Sequence, residues 1–449
     1  MSVARAFLQG SVMPVVRLAL PVVAAELGWM AMGVVDTIMV GPLGASAIGG
    51  VGIGSGLFIA IGIFGMGLLL GLDTTVAQAF GAGDTDECDR WLVSGVWLAA
   101  LTIPPLAVMA WAMSALLPHM GFHPDVLPHV RASFPIVSLS LPPLLVYAAF
   151  RRYLQARSRV GIVAFALVSA NIVNLAANAA LIHGVGPIPA LGVQGAAWAT
   201  VVSRIYMAVV LGWDVWRLAR THIATMPWAL PVARVRRLLA LGLPAAAHVT
   251  FEVGVFSAAT ALAGQLLPES LAAHQIALNI ASVVFMVPLG VSSAAAVLVG
   301  QHIGAYDAAG ARRAGWAAML VVEVFMASSA ATLALMPTPF ITLFTSDAGV
   351  IAIGTRLLAV AAAFQLFDGL QVATTGALRG LGETRMPMLV SLFGYWISGL
   401  PLGWYLCFRA GYGVIGLWLG LAVSLLVVGT VLMGLWHVRI RETARRMGA

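Results

Sequence analysis

The sequence predicts an all-α membrane protein with twelve transmembrane helices in two pseudo-symmetric six-helix bundles. Three observations predict it. The 449 residues are 61% hydrophobic and 9% charged, with a mean hydropathy of +0.98, where a soluble domain carries about 25% charged residues. Apolar runs recur along the chain, each near or above the ~20 residues that cross a bilayer as a helix. The second half of the chain also repeats motifs of the first.

The runs are 14–41, 47–71, 91–117, 131–153, 160–184, 190–216, 237–264, 272–299, 314–337, 351–378, 386–408 and 413–437. Gly, Pro and polar residues break them, as at Gly41-Pro42-Leu43-Gly44. The first run has no short apolar core followed by a small-residue cleavage site, so it reads as a retained span. All 24 basic residues are arginine. Twenty fall on one side when the loops are numbered alternately. Arg131, Arg356 and Arg409 fall on the other, and Arg204 lies inside a span. This bias places both termini in the cytoplasm. It also accounts for the formal charge of +7 without a nucleic-acid partner.

The repeat has a constant offset. Val76-Ala-Gln-Ala-Phe-Gly-Ala-Gly-Asp84 resembles Val299-Gly-Gln-His-Ile-Gly-Ala-Tyr-Asp307, 223 residues later, and Leu18-Ala-Leu-Pro21 matches Leu241-Gly-Leu-Pro244. Residues 1–220 therefore read as one lobe and 237–449 as the other, with substrate expected where they meet. A cytoplasmic linker over 221–236 joins them, flanked by arginines and broken by Pro227 and Pro231. Gly50/Gly54 and Gly67/Gly71 read as close helix contacts. Trp91, Trp111 and Trp228 read as interface anchors.

The absence of lysine excludes a Walker A motif and Schiff-base chemistry. Cys88 and Cys407 lie in distant segments and form neither a disulfide framework nor a metal motif. No cofactor is expected. The chemistry that remains is that of acids inside the membrane. Such a carboxylate costs roughly 2.5–3.5 kcal/mol on insertion scales and marks an ion, proton or substrate path. Glu26, Asp36, Glu252 and Asp368 are the candidates.

Several motifs in order carry a family resemblance. They are Met32-Gly-Val-Val-Asp36-Thr-Ile-Met-Val-Gly41, the Val76–Asp84 exit, Ala273-His-Gln-Ile-Ala-Leu-Asn279 continuing to Phe285-Met-Val-Pro-Leu-Gly290, and Gly376-Ala-Leu-Arg-Gly-Leu-Gly-Glu383. The chain resembles the multidrug and toxic compound extrusion (MATE) family, and within it the NorM-type branch. The resemblance implies an antiporter of the bacterial inner membrane. It would export cationic drugs in exchange for Na+ or H+ by alternating access.

Glu252 and Asp368 both fall near mid-depth of their segments, so they can approach one another. Two carboxylates in low dielectric cannot both stay ionised cheaply; a proton or a Na+ between them relieves the repulsion. The resemblance places a cation site on this pair. It places a second on Asp36, Asn174, Asn178 and Thr200 with a backbone carbonyl near Ala196. Asn174 and Asn178 share one helix face at i,i+4. Metal contact is thus expected as Na+ at Glu252, Asp368, Asp36 and Asn178. Substrate contact is expected at Asp36, Glu252, Phe364 and Asp368.

Some residues depart from the family pattern. Glu26 stands where an uncharged polar residue is expected, and reads either as an added protonatable group or as a neutral hydrogen-bonded Glu. Phe364 stands where relatives can carry a Tyr; without that hydroxyl, H+ coupling gains over Na+. His248, one turn before Glu252, reads as a tuner of that acid or as a core histidine making one hydrogen bond. Asp73 reads as interfacial. Other readings make other demands, and an energy-coupled permease subunit would need a partner ATPase. A flippase of lipid-linked precursors would want a basic cavity for its diphosphate. A membrane enzyme acting on lipids would want His or acid clusters at helix ends. The partners expected are small cationic molecules and the bilayer, with the chain acting alone.

Overall fold

Inside a bilayer every backbone N–H and C=O must be satisfied within the protein, so an apolar chain of this kind folds into helices. The computed structural model describes residues 8–186, 189–223 and 229–448. Pro227 and Trp228 lie outside them. The helices are α1 Met13–Val40, α2 Ala45–Leu68, α3 Gly71–Gly81, α4 Thr85–Leu116, α5 Leu127–Ser138, α6 Leu141–Ala156, α7 Val160–His183 and α8 Val193–Ile223. There follow α9 Val232–Ala263, α10 Pro268–Gly304, α11 Ala308–Leu335, α12 Pro337–Thr342, α13 Ala348–Gly380, α14 Arg385–Ser391, α15 Leu400–Phe408 and α16 Gly413–Arg446. Residues Leu392–Gly399, between α14 and α15, form a π-helix.

Among the described residues, eleven continuous helical stretches are long and apolar enough to span a membrane, and α5 with α6 makes a twelfth, bent by 47°. These are the twelve segments read from the sequence. The bend has a local cause. Pro142 and Pro143 open α6 without N–H groups, freeing the carbonyls one turn earlier.

Contacts divide the chain into two units. One is Ala24–Ala246; the other takes the start of α1 through Val23 together with the residues from Ala247 on. The two cuts fall inside α1 and α9, at points related by the repeat offset. Within the first unit, the paired glycines make close contacts. A Cβ at Gly50 would lie 2.3 Å from the His129 Cβ, and one at Gly67 would lie 2.6 Å from the Ala246 Cα. Within the second, a Cβ at Gly376 would meet the Ser292 carbonyl at 2.2 Å, which seats α13 against α10.

The longest repeated motif ends in helix caps. Asp84 accepts from the Glu87 N–H at 2.8 Å to start α4, and Asp307 accepts from the Gly310 N–H at 2.7 Å to start α11. The residue before each cap has positive φ: Gly83 at 77° and Tyr306 at 57°. Tyrosine there is strained where glycine is not. The Gly310 N–H, ahead of the charges of His302 and Arg313, holds the Asp307 carboxyl below its ordinary range. Its contribution is therefore present above the usual Asp pKa and is lost as pH falls below it. Tyr306→Gly is expected to raise the apparent melting temperature in detergent through relief of about 1 kcal/mol. Asp307→Ala is expected to lower it by losing a cap worth about 1 kcal/mol, with the difference vanishing in acid.

Candidate functional site

Six carboxylates are buried: Glu26, Asp36, Asp73, Asp89, Glu252 and Asp368. They sort into two kinds. Three are ion-paired to arginines at the end of α6. Arg151 donates to Glu26, Arg152 lies 3.3 Å from Asp73, and Arg157 lies 3.2 Å from Asp89, which Tyr153 also bonds. Glu26 is thus ion-paired to a residue 125 positions away. Asp73 is buried within the protein. The other three, Asp36, Glu252 and Asp368, have no ion-pair partner among the described residues.

Asp36 sits near the end of α1 and faces α7 and α8. Asn174 and Asn178 donate to its Oδ1 at 3.0 and 2.7 Å, and the Asn178 amide also bonds Asn174 Oδ1 at 3.1 Å. Thr200 Oγ1 lies 3.1 Å from Asp36 Oδ2 and 3.2 Å from the Ala196 carbonyl. All five residues named from the sequence therefore meet in one place. The i,i+4 spacing on α7 puts both amides on one face, and the i,i+4 spacing on α8 brings the Thr200 hydroxyl to the Ala196 carbonyl. The oxygens on hand suit a hard cation. They include Asn178 Oδ1, which is buried without a hydrogen-bond partner. A small cavity lined by Ser55, Ser133, Val137, Ala196 and Thr200 adjoins the group.

One turn beyond Thr200, Arg204 is buried with no carboxylate in salt-bridge reach among the described residues. It donates to Ser140 Oγ, at the α5–α6 bend, and its guanidinium lies 4.2 Å from the Phe58 ring centroid and 5.7 Å from that of Trp29. Aromatic faces are favourable seats for a cation. The Arg204 charge is felt at Asp36.

Glu252 on α9 and Asp368 on α13 are buried in the other unit, close enough for each charge to oppose the other. Gln371 donates to Glu252 Oε1 at 3.2 Å and in turn accepts from the Tyr395 hydroxyl. Asp368 Oδ1 is buried without a partner. Next to Tyr395, Trp396 donates to the Phe251 carbonyl at 3.0 Å. The π-helix lets these two neighbours both reach the surroundings of Glu252. Gln371, Tyr395 and Trp396 were absent from the sequence reading. Gln371, three residues after Asp368, shares its helix face, and that spacing was an available signal. Nothing in the sequence marks the π-helix.

The remaining candidates each stand one turn from an acid of this pair. His248 bonds the Pro387 carbonyl, with Arg379 as its neighbouring charge. It makes the single hydrogen bond of a core histidine. Phe364 is buried between Phe256 and Trp418, at centroid distances of 6.0 and 5.5 Å. Trp418 donates to His274 Nδ1 at 3.0 Å, and His274 Nε2 lies 2.9 Å from Thr260 Oγ1.

A MatE family model matches residues 21–180 and 244–405, two stretches that start at the offset of the internal repeat. The chain is 37% identical over 434 residues to a protein of Deinococcus radiodurans called "Probable multidrug resistance protein NorM", covering 95% of each. It is 36% identical over 430 residues to "Multidrug resistance protein NorM" of Burkholderia vietnamiensis, covering 94% of this chain and 93% of that one. Its fold matches the crystal structure of the eukaryotic MATE transporter AtDTX14 with a TM-score of 0.87 at 23% identity, over 98% of this chain and 99% of that one. It also matches a MOP superfamily transporter from Pyrococcus furiosus with a TM-score of 0.86 at 18% identity, over 99% of both. That structure is described as having a binding pocket of reverse polarity that suggests a different function. The fold alone therefore does not decide the cargo.

The sorting of the acids yields a stability test. Glu26→Gln and Arg151→Gln each leave a buried charge unpaired and are expected to cost about 3–5 kcal/mol. Thermal unfolding in detergent checks this. Asp36→Asn and Asp368→Asn, which remove charges that have no partner, are expected to leave the melting temperature unchanged or higher.

Proposed function

The chain belongs to the MatE family, and on that footing we propose that it is an efflux antiporter for chemically varied organic compounds, mostly cationic, driven by Na+ or H+. It is a transporter and not an enzyme. The observation that carries the coupling is the set of three buried carboxylates without an ion-pair partner. None is ion-paired by the protein among the described residues, so a mobile cation can relieve each of them.

In this reading the coupling cation and the cationic substrate compete for the same charges. With Asp36 ionised, its charge and that of Arg204 offset each other. A proton or Na+ on Asp36 leaves Arg204 uncompensated, and a cationic substrate nearby is then repelled. Glu252 and Asp368 work by mutual repulsion instead. One proton or one Na+ removes it, and Gln371, held by Tyr395, keeps Glu252 oriented for that event. The Asp36 group offers the richer oxygen set and suits Na+. The acid pair suits a shared proton, since the ring of Phe364 one turn from Asp368 adds no oxygen. Alternation of access between the two sides would convert this exclusion into exchange. The protein would act as a single chain in the bacterial plasma membrane, with both termini cytoplasmic as the arginine bias places them.

Purified protein in sealed liposomes, loaded with ethidium under a Na+ gradient alone or a pH gradient alone, tests the reading. One gradient is expected to drive transport in the wild type, and Asp36→Asn and Asp368→Asn are each expected to reduce it to near background. Transport by neither gradient, across several cationic dyes, would refute antiport and favour a lipid-linked precursor as cargo. Gln371→Leu and Tyr395→Phe should weaken coupling-ion affinity roughly 10-fold or more. The expected signature is a shifted ion-concentration or pH profile while the maximal rate is kept.

A further inference from the structure

The far end of α8 carries a feature that transport does not use. Val202, Ile205, Val209, Trp213 and Trp216 are each at least 40% exposed. Their spacings of three, four, four and three residues align them as one stripe down the helix. The stripe ends in a Trp213–Trp216 stack with ring centroids 5.1 Å apart. Arg217 lies over the Trp213 ring at 5.2 Å and Arg220 over the Trp216 ring at 5.8 Å. A guanidinium stacked this way uses its face and leaves its edge of N–H donors free for a planar or tetrahedral oxyanion. The acid on this stretch, Asp214, is already taken by Arg159 through bonds of 3.0 and 2.8 Å. Neither Arg217 nor Arg220 has an ion-pair partner among the described residues.

The dimensions match a lipid leaflet. From Trp213 back to Val202 the helix rises about 16 Å, close to the ~15 Å half-thickness of the hydrocarbon core. We propose that this stripe is a binding site for an anionic phospholipid. Its phosphate would lie on Arg217 and Arg220, and its ester region against the two tryptophans. One acyl chain would run along Val209, Ile205 and Val202. Charge complementarity selects an anionic over a zwitterionic headgroup, because the two arginines meet no acid of the protein. A second copy of the chain fits less well. Helix pairs in membranes approach through small residues, and every position of this stripe is bulky.

Native mass spectrometry of the full-length protein tests this, with dioleoyl phosphatidylglycerol or dioleoyl phosphatidylcholine added at equal concentration. Each arginine near the surface contributes roughly fivefold in affinity. The wild type should therefore retain the anionic lipid at least about tenfold more strongly. Arg217→Gln with Arg220→Gln should abolish the preference. Arg236→Gln with Arg237→Gln, which removes the same charge from the start of α9, should keep it. Trp213→Ala with Trp216→Ala should weaken both lipids. Equal retention of the two lipids by the wild type would overturn the proposal, as would loss of the preference in the Arg236/Arg237 control. Displacement of the lipid by millimolar inorganic phosphate would reduce the site to an anion site. A dimer that the tryptophan variant dissolves would assign the stripe to a second copy. None of these results depends on which gradient drives transport.

Discussion

An ionised carboxylate in a low-dielectric interior is costly unless something offsets its charge. That constraint organises this molecule. The fold meets it with arginine for Glu26, Asp73 and Asp89, each partner placed at the end of α6. Those three pairs tie α1, α3 and the start of α4 to one helix. At Asp36, Glu252 and Asp368 the same constraint is left open. The protein gives hydrogen bonds to Asp36 and Glu252, leaves Asp368 Oδ1 without one, and ion-pairs none of the three among the described residues.

Much of the architecture was legible in the sequence because membrane folding has few solutions. Length, apolarity and arginine bias are enough to count the spans, and the repeat offset relates the halves. The Asp36 group came from the family resemblance, and helix spacing explains why it assembles. Asn174 and Asn178 lie one turn apart on α7, and one turn on α8 separates Ala196 from Thr200, so each helix presents its groups on one face. What was not legible is tertiary. Nothing near Glu26 in sequence announces Arg151. His248 shares a helix face with Glu252, yet its bond goes to the Pro387 carbonyl. Periodicity reports a face but not what another helix brings to it.

The π-helix Leu392–Gly399 is the clearest case of structure adding what periodicity cannot. An α-helical period assigns neighbours such as Tyr395 and Trp396 to different faces. The wider turn brings one to Gln371 and the other to the Phe251 carbonyl. π-turns cost hydrogen-bond quality and recur at functional sites. Here the departure stands beside the acid pair, where a fixed orientation of Glu252 matters.

The arginine pairs of α6 have an electrical consequence. A membrane potential does work of about 2.3 kcal/mol per unit charge moved across 100 mV. Glu26–Arg151, Asp73–Arg152 and Asp89–Arg157 carry no net charge, so displacing any of them with its partner moves none. The voltage acts instead on charges without such a partner, Asp36, Glu252, Asp368 and Arg204 among them. A fixed side chain is back at its starting depth when a transport cycle closes, so its electrical work falls between intermediate states, and substituting one of the four changes how the resting potential weights those states against one another.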